Sequence, residues 1–288
     1  MSEAEACLYV APFAHIANVV KPVRAENSRA PLRNLWWQHW RPRAEMRAAI
    51  ATLDRYIVTP EVSKHRLFVW LPVTVGADKN LIAIARDDDT SFGILHSRFH
   101  ELWSLRLGSS LEDRPRYTPS TTFETFPFPD GLTPNLQAAA YAGDPRAQTI
   151  AAAARALVAA RDRWLHPAEL VRRVPEVVPG LPDRILPRDT AAAATLQRRT
   201  LTNLYNTRGT PAGTWLDTLH RTLDDAVAAA YGWPPALPDA EVLARLLALN
   251  QVRAGARRWL HDPLTQPPPS ASAGGKSFQG DSVGSFSN

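Results

Sequence analysis

Apolar and polar positions along this chain follow two periods, and the change from one to the other divides it. Residues 55–58, 66–75 (RLFVWLPVTV) and 81–85 (LIAIA) are β-branched and aromatic runs that read as strands. The turn at residues 76–80 would make the last two partners. Residues 5–17 (EACLYVAPFAHIA) read as a further short apolar strand entering a turn, followed by the basic connector KPVRAENSRAPLRN. Helical spacing appears in residues 43–53, where Met46, Ile50 and Leu53 share a face. It returns after the acidic triplet Asp87, Asp88 and Asp89, where Phe92, Leu95, Phe99, Leu102 and Trp103 recur until Gly108 stops the run. Acids just before a helix start are favoured by its dipole. Residues 114–129 (RPRYTPSTTFETFPFP) hold four prolines and alternating Phe, which predicts an extended, packed segment.

Beyond Pro129 the chain becomes rich in Ala, Leu and Arg. Residues 145–165, 190–206, 214–231 and 239–254 each carry a helical pattern, and a proline-rich connection occupies 166–190. Trp215, Leu219, Leu223, Val227 and Tyr231 form one stripe of the third helix, and Asp239 is placed to cap the fourth. From residue 262 the sequence is dominated by Pro, Ser and Gly, which predicts disorder. The expected fold is α+β: a small mixed α/β domain over residues 1–130, a helical domain over 131–261 and a disordered tail over 262–288.

Composition changes this picture little. With 288 residues, 45% of them hydrophobic and 9 Trp, the chain can bury a substantial core. No run approaches the roughly 18 apolar residues of a membrane span. The opening MSEAEACLYV places acids where a signal peptide would be basic, so a cytoplasmic protein is expected. Cys7 is the single cysteine, which excludes an internal disulfide and a cysteine-based zinc site.

Charge changes it more. The formal net charge is +5, and 29 of the 33 basic residues are Arg, which a compositional bias toward Arg and Ala would also produce. Between Lys21 and Arg66, however, 10 basic residues face 4 acidic ones, interleaved with Trp36, Trp37, Trp40, His39, Tyr56 and His65. Cations set among flat rings suit a nucleic-acid surface, where charge neutralises phosphate and rings stack; packing of Trp36 and Trp37 into a core is the alternative.

Catalytic patterns are missing. S-adenosylmethionine binding requires a glycine-rich turn after a first strand, and no G-x-G occurs. The Pro-Pro pairs, at Pro234–Pro235 and within the tail, lack the Asn/Asp-Pro-Pro-aromatic context that holds a flipped base. The acids around Lys64 have the wrong spacing for a PD-(D/E)-x-K nuclease. His96 and His100 lie four apart, as zinc ligands on a helix would, but no third ligand accompanies them; packing or a DNA-facing role for His96, Arg98 or His100 are the other readings. The Asp87–Asp89 triplet reads as a solvated turn leading a helix rather than a metal site. Lys64-His65-Arg66, at the mouth of a strand, could grip phosphate or merely guard a sheet edge. The DNA-binding candidates are Lys21, Arg24, Arg33, Lys64, His65, Arg66, Arg98, Arg114 and Arg116.

Residues 34–71 (NLWWQHWRPRAEMRAAIATLDRYIVTPEVSKHRLFVWL), FGILHSRFHELW at 92–103 and RYTPSTTFETFPFP at 116–129 occur together and in order. This combination resembles the target-recognition region of the MmeI-like family of single-chain restriction–modification DNA adenine methyltransferases. LTNLYNTRG at 201–209, LDDAVAAAYGWP at 223–234 and LARLLALN at 243–250 resemble the helical C-terminal domain of the same family. The resemblance spans about residues 10–255. It implies double-stranded DNA as partner and a site-specific adenine-N6 methylating enzyme, in restriction–modification or phage defence, for the complete protein. S-adenosylmethionine would serve that complete enzyme, with no cofactor expected in this chain, since none of the family's catalytic motifs has a counterpart here. Two expectations follow: a fragment or split gene, or a subunit whose partner is a separate methyltransferase catalytic chain. The competing reading is a helical interaction module or specificity subunit, with Trp215 or Trp233 marking its docking surface.

Overall fold

Strand β1 (Arg55–Pro60) has apolar character on both faces, and its place follows from that. Successive side chains point to opposite sides of a strand. Tyr56 and Val58 pack with Ile50, Met46 and Leu53 on one side, while Ile57 enters the main core on the other. Such a strand is best placed at the centre. β2 (Val69–Pro72) and β3 (Leu81–Ile84) flank it, both antiparallel, in the order β2-β1-β3. Ile57 lies opposite Trp70 on one side and Ile84 on the other. Two expectations are corrected here. The second strand is shorter than residues 66–75, and β3 pairs with β1 rather than with β2.

The computed structural model describes residues 1–39, 43–111, 114–177 and 181–261. Trp40 and the tail expected to be disordered, residues 262–288, lie outside them. Before the sheet come four helices: α1 (Glu3–Cys7), α2 (Val10–Ala25), α3 (Ala30–Asn34) and α4 (Ala44–Ile50). The strand expected over residues 5–17 is therefore a pair of helices. A capping box decides the start, with Ser2 Oγ accepting from the Glu5 amide while Glu5 accepts from the Ser2 amide. Trp36 is buried against Phe13, their rings 5.2 Å apart, so it belongs to packing rather than to a stacking platform.

After the sheet, α5 (Asp89–His96) and α6 (Arg98–Leu107) replace the single helix read from residues 92–107. Ser97 is extended (φ −75°, ψ 159°) and separates them, its hydroxyl donating to the Ile94 carbonyl at 2.7 Å. Asp88 caps α5 by accepting from the Ser91 amide at 2.7 Å. The acidic triplet leads a helix as expected but is not simply solvated: Asp88 pairs with Arg86, and Asp89 with Arg55 and Arg155. A hairpin of β4 (Ser109–Leu111) and β5 (Arg114–Arg116) follows, then the short α7 (Pro119–Thr122).

The second half contributes α8 (Pro145–Leu165), a hairpin of β6 (Val171–Val174) and β7 (Arg184–Pro187), α9 (Thr190–Leu196), α10 (Leu201–Tyr205), α11 (Thr214–Tyr231) and α12 (Asp239–His261). The helix read over residues 190–206 is two, and the proline-rich connection contains the β6–β7 hairpin. The whole has the α+β character expected from the sequence.

One apolar cluster runs from Ile57 in β1 to Leu246 in α12, through α5, α6, α8 and α11, so packing continues across Pro129. Gly93 shows how close this packing is. A Cβ there would lie 2.6 Å from Ile150 Cγ2 on α8, a separation that only hydrogen permits. The Tyr231 hydroxyl donates to the Pro127 carbonyl at 2.9 Å, and Arg253 Nη1 to the Phe128 carbonyl at 2.7 Å, fixing the FPFP segment to α11 and α12. Among the described residues, no helix is long and apolar enough to cross a membrane.

Candidate nucleic-acid interface

The loop between β1 and β2 joins the β4–β5 hairpin edge to edge. Val62 bridges Arg116, the Ser63 amide donates to the Pro115 carbonyl at 3.3 Å, and the Tyr117 amide donates to the Glu61 carbonyl at 2.7 Å. Lys64, His65, Arg114 and Arg116, 50 residues apart in sequence, thus share one rim. Lys64, Arg114 and Arg116 are exposed and His65 is half-buried. Arg116 is steered by Glu61, whose Oε1 accepts from its Nε at 2.8 Å and Nη2 at 2.5 Å.

Arg66 turns the other way and is only 6% exposed. Its Nη1 donates to Thr59 Oγ1 at 2.9 Å and the Pro60 carbonyl at 2.6 Å, its Nη2 to the Pro115 carbonyl at 3.3 Å, and its guanidinium lies 4.9 Å from the Tyr117 ring centre. Burial pushes its pKa down to about 10, so it stays cationic at neutral pH. Arg66 is therefore a brace beneath the rim, and its expected phosphate contact is corrected. The alternation of side chains along an extended chain sends His65 out and Arg66 in.

Arg98 is likewise committed inward. Its backbone amide donates to Asp224 Oδ1 at 2.8 Å, and its guanidinium donates to the Leu237 carbonyl at 2.8 Å and Asp239 Oδ1 at 2.5 Å, tying α6 to the start of α12. Lys21, Arg24 and Arg33 stand on the N-terminal helices. Arg24 Nη1 is turned into the chain, donating to the Trp36 carbonyl at 2.9 Å and to that of Gln38. Lys21 is exposed over the Trp36 ring at 4.8 Å, and Arg33 is exposed with Nη1 on the Asn27 carbonyl at 2.7 Å. Among the described residues, the contacts of these three fall within residues 21–38.

His96 and His100 are buried and serve packing, which removes the DNA-facing reading. The Phe68 amide donates to His96 Nδ1 at 3.2 Å, and His96 Nε2 lies 2.9 Å from both Tyr205 Oη and Arg161 Nη1. Tyr205 Oη also lies 2.9 Å from His220 Nε2. Arg161, also buried, donates to the Phe68 carbonyl at 3.1 Å and to Tyr205 Oη at 3.3 Å. Burial, with Arg161 and His220 alongside, pushes the His96 pKa well below the usual imidazole value. Burial lowers His100 to about 3, and burial with Arg208 and Arg161 lowers His220 to about 3. Among the described residues, no three His, Cys, Asp or Glu side chains gather to hold a metal.

Residues of the helical half reach the rim, and these the sequence reading did not assign. Asn206 Oδ1 accepts from Lys64 Nζ at 2.7 Å and lies 2.9 Å from His65 Nε2. Arg208 Nε donates to Asp217 Oδ1 at 3.0 Å and the Gly209 amide to Asp217 Oδ2 at 2.8 Å, with Gly209 at φ +75°. An open hollow of about 570 Å³ lies among them, walled also by Glu101. The polar turn N-T-R-G carried a signal for a surface loop, but nothing in the sequence placed it beside Lys64.

Residues 3–130 match the family model described as "MmeI, target recognition domain". The structure of a Type IIL restriction–modification enzyme, MmeI, in complex with DNA resembles the present fold with a TM-score of 0.52 and 21% sequence identity. The likeness covers 84% of this chain and 26% of the MmeI chain, so the chain spans about a quarter of that protein's length. At that identity the likeness is one of fold. No curated protein matches the chain in sequence.

Proposed function

Residues 3–130 being an MmeI-like target recognition domain, we propose that this chain recognises a DNA sequence for a site-specific adenine-N6 methyltransferase of a restriction–modification or phage-defence system. The family match carries the reading, and the exposed cationic rim of Lys64, Arg114 and Arg116 supports it. Lysine and arginine on such an edge neutralise phosphates and set register, and the loops between them read base edges. Lys21 and Arg33 add positive charge from the N-terminal helices. Methyl transfer, with S-adenosylmethionine as donor, belongs to a catalytic portion outside these residues.

Binding of this chain to a random-sequence duplex, followed across a salt series, tests the reading. Affinity should fall as salt rises, and selection from a randomised pool should enrich one short site. Absence of binding at low salt, or binding indifferent to salt, would overturn it.

A second reading, docking on a separate catalytic chain, draws on the exposed Leu8, Tyr9, Val10, Val19 and Val23 of the N-terminal helices. Its expected markers fare differently. Trp215 and Trp233 are partly buried against the core, and Trp233 stacks on Tyr231 with ring centres 4.4 Å apart.

A further inference from the structure

The hollow between the β1–β2 loop and the turn after α10 is lined by side chains whose aim is already fixed. Asn206 holds Lys64 and His65 from behind through one carbonyl oxygen, using a single proton of the Lys64 ammonium. Arg208 spends only its Nε on Asp217, and the second oxygen of that carboxylate is taken by the Gly209 amide. The two terminal nitrogens of Arg208 have no acceptor among the described residues, and the remaining protons of Lys64 are in the same position. These unused donors lie around an open hollow. A planar guanidinium fork and an ammonium lining one hollow suit the oxygens of a tetrahedral anion.

Asp217 offsets one of the two positive charges, so the unused N–H donors rather than the net charge of the hollow would hold an anion. Asp217 has both oxygens engaged; burial opposes its charge, but the Gly209 amide and Arg208 outweigh it and hold its pKa below the usual carboxylate range. Glu101 also lines the hollow, where burial pushes its carboxyl upward against the opposing pull of Arg208, His65 and Arg66.

We propose that this hollow seats a phosphate group of the DNA backbone, gripped jointly by Lys64 of the recognition domain and Arg208 of the helical half. The proposal rests on the DNA-binding reading above and extends it. The helical half then contacts the ligand directly, and Asn206 and Asp217 are positioning residues that fix Lys64 and Arg208 at the hollow. The same chemistry would accept free inorganic phosphate.

The full chain, with Lys64→Gln, Arg208→Gln and Arg172→Gln as an exposed control on β6, is titrated with a fluorescent random-sequence duplex across a salt series. Lys64→Gln and Arg208→Gln should each weaken binding roughly ten-fold, the worth of a charged hydrogen bond. Each should also reduce the salt slope by about 0.9, the value of one phosphate contact. Arg172→Gln should leave both unchanged. Lys64 is exposed, so Lys64→Gln remains informative even where loss of the Asp217 pair perturbs the Arg208 variant. If the wild-type chain binds with normal salt dependence and both variants match it, the phosphate seat is overturned while the DNA-binding reading stands. If the wild-type chain does not bind the duplex, inorganic phosphate alone decides the seat. Saturable shifts of the Asn206 and Gly209 amides, absent in Arg208→Gln, support it, and unmoved amides overturn it.

Discussion

The Asp224 carboxylate accepts a hydrogen bond from the Arg98 amide at 2.8 Å, so a side chain of α11 caps a helix that begins 126 residues earlier. The amides at a helix start have no partner within the helix, and α6 receives one from across the core rather than from its own N-cap, Ser97. Asp224→Ala should cost about 1–2 kcal/mol, in the range of a lost cap with a buried donor left over. Chemical denaturation against wild type measures it, and an unchanged midpoint would show the contact to be idle.

Acid should unfold the chain through its buried histidines. His96, His100 and His220 are held below the ordinary imidazole pKa, the last two at about 3. The unfolded chain takes up their protons near pH 6.5 and the folded chain does not, so this stability is present above pH 6.5 and is lost as pH falls toward 3. Asp224 acts oppositely. Burial raises it to about 7, so its contribution declines as pH rises from about 4 to 7. The three depressed histidines outweigh Asp224, so unfolding takes up protons on balance and stability falls as pH drops below about 6. Denaturation midpoints across that range check the sign, and Asp224→Asn should steepen the dependence.

Gly93→Ala should loosen the junction of α5 with α8. The added methyl meets Ile150 Cγ2 at 2.6 Å and Leu223 Cδ1 at 3.1 Å. Overpacking of this kind costs about 1–3 kcal/mol, more than the few tenths to 1 kcal/mol that Ala gains over Gly in an open helix. A thermal melt distinguishes the signs, since a stabilised variant would place slack where the packing is tight.

Arg66 and Arg116 should separate stability from binding. Arg66→Met strands the Thr59 hydroxyl and the Pro60 carbonyl and removes one of the two donors to the Pro115 carbonyl, so stability should fall by about 3 kcal/mol. DNA affinity per folded molecule should change little. Arg116→Gln should do the reverse, with an unchanged melt and a salt slope lower by about 0.9. Parallel melts and salt-dependent titrations of both variants make the comparison; loss of affinity in a fully folded Arg66→Met would assign that residue to the interface instead.

Periodicity and end signals in the sequence placed α4, α8, α11, α12, β1 and β3, because those elements depend on which face is apolar and on local caps. Blocks of residues such as 92–103 and 116–129 also carried the resemblance to the family whose model matches residues 3–130, since a family's local patterns survive in the linear order. The linear order could not say that α1 and α2 are helices, that Ser97 splits α5 from α6, or that β3 lies beside β1. Nor could it show that Arg66 and Arg98 are spent inside the protein while Lys64 and Arg116 are not. Local spacing tells which side chains share an element, but the aim of a cation depends on which carbonyls and carboxylates the fold brings within 3 Å of it. For Arg66 those partners are near in sequence at Thr59 and distant at Pro115, and for Lys64 the partner, Asn206, is 142 residues away. Composition alone made the chain cationic; tertiary contact decided which cations are left to meet a ligand.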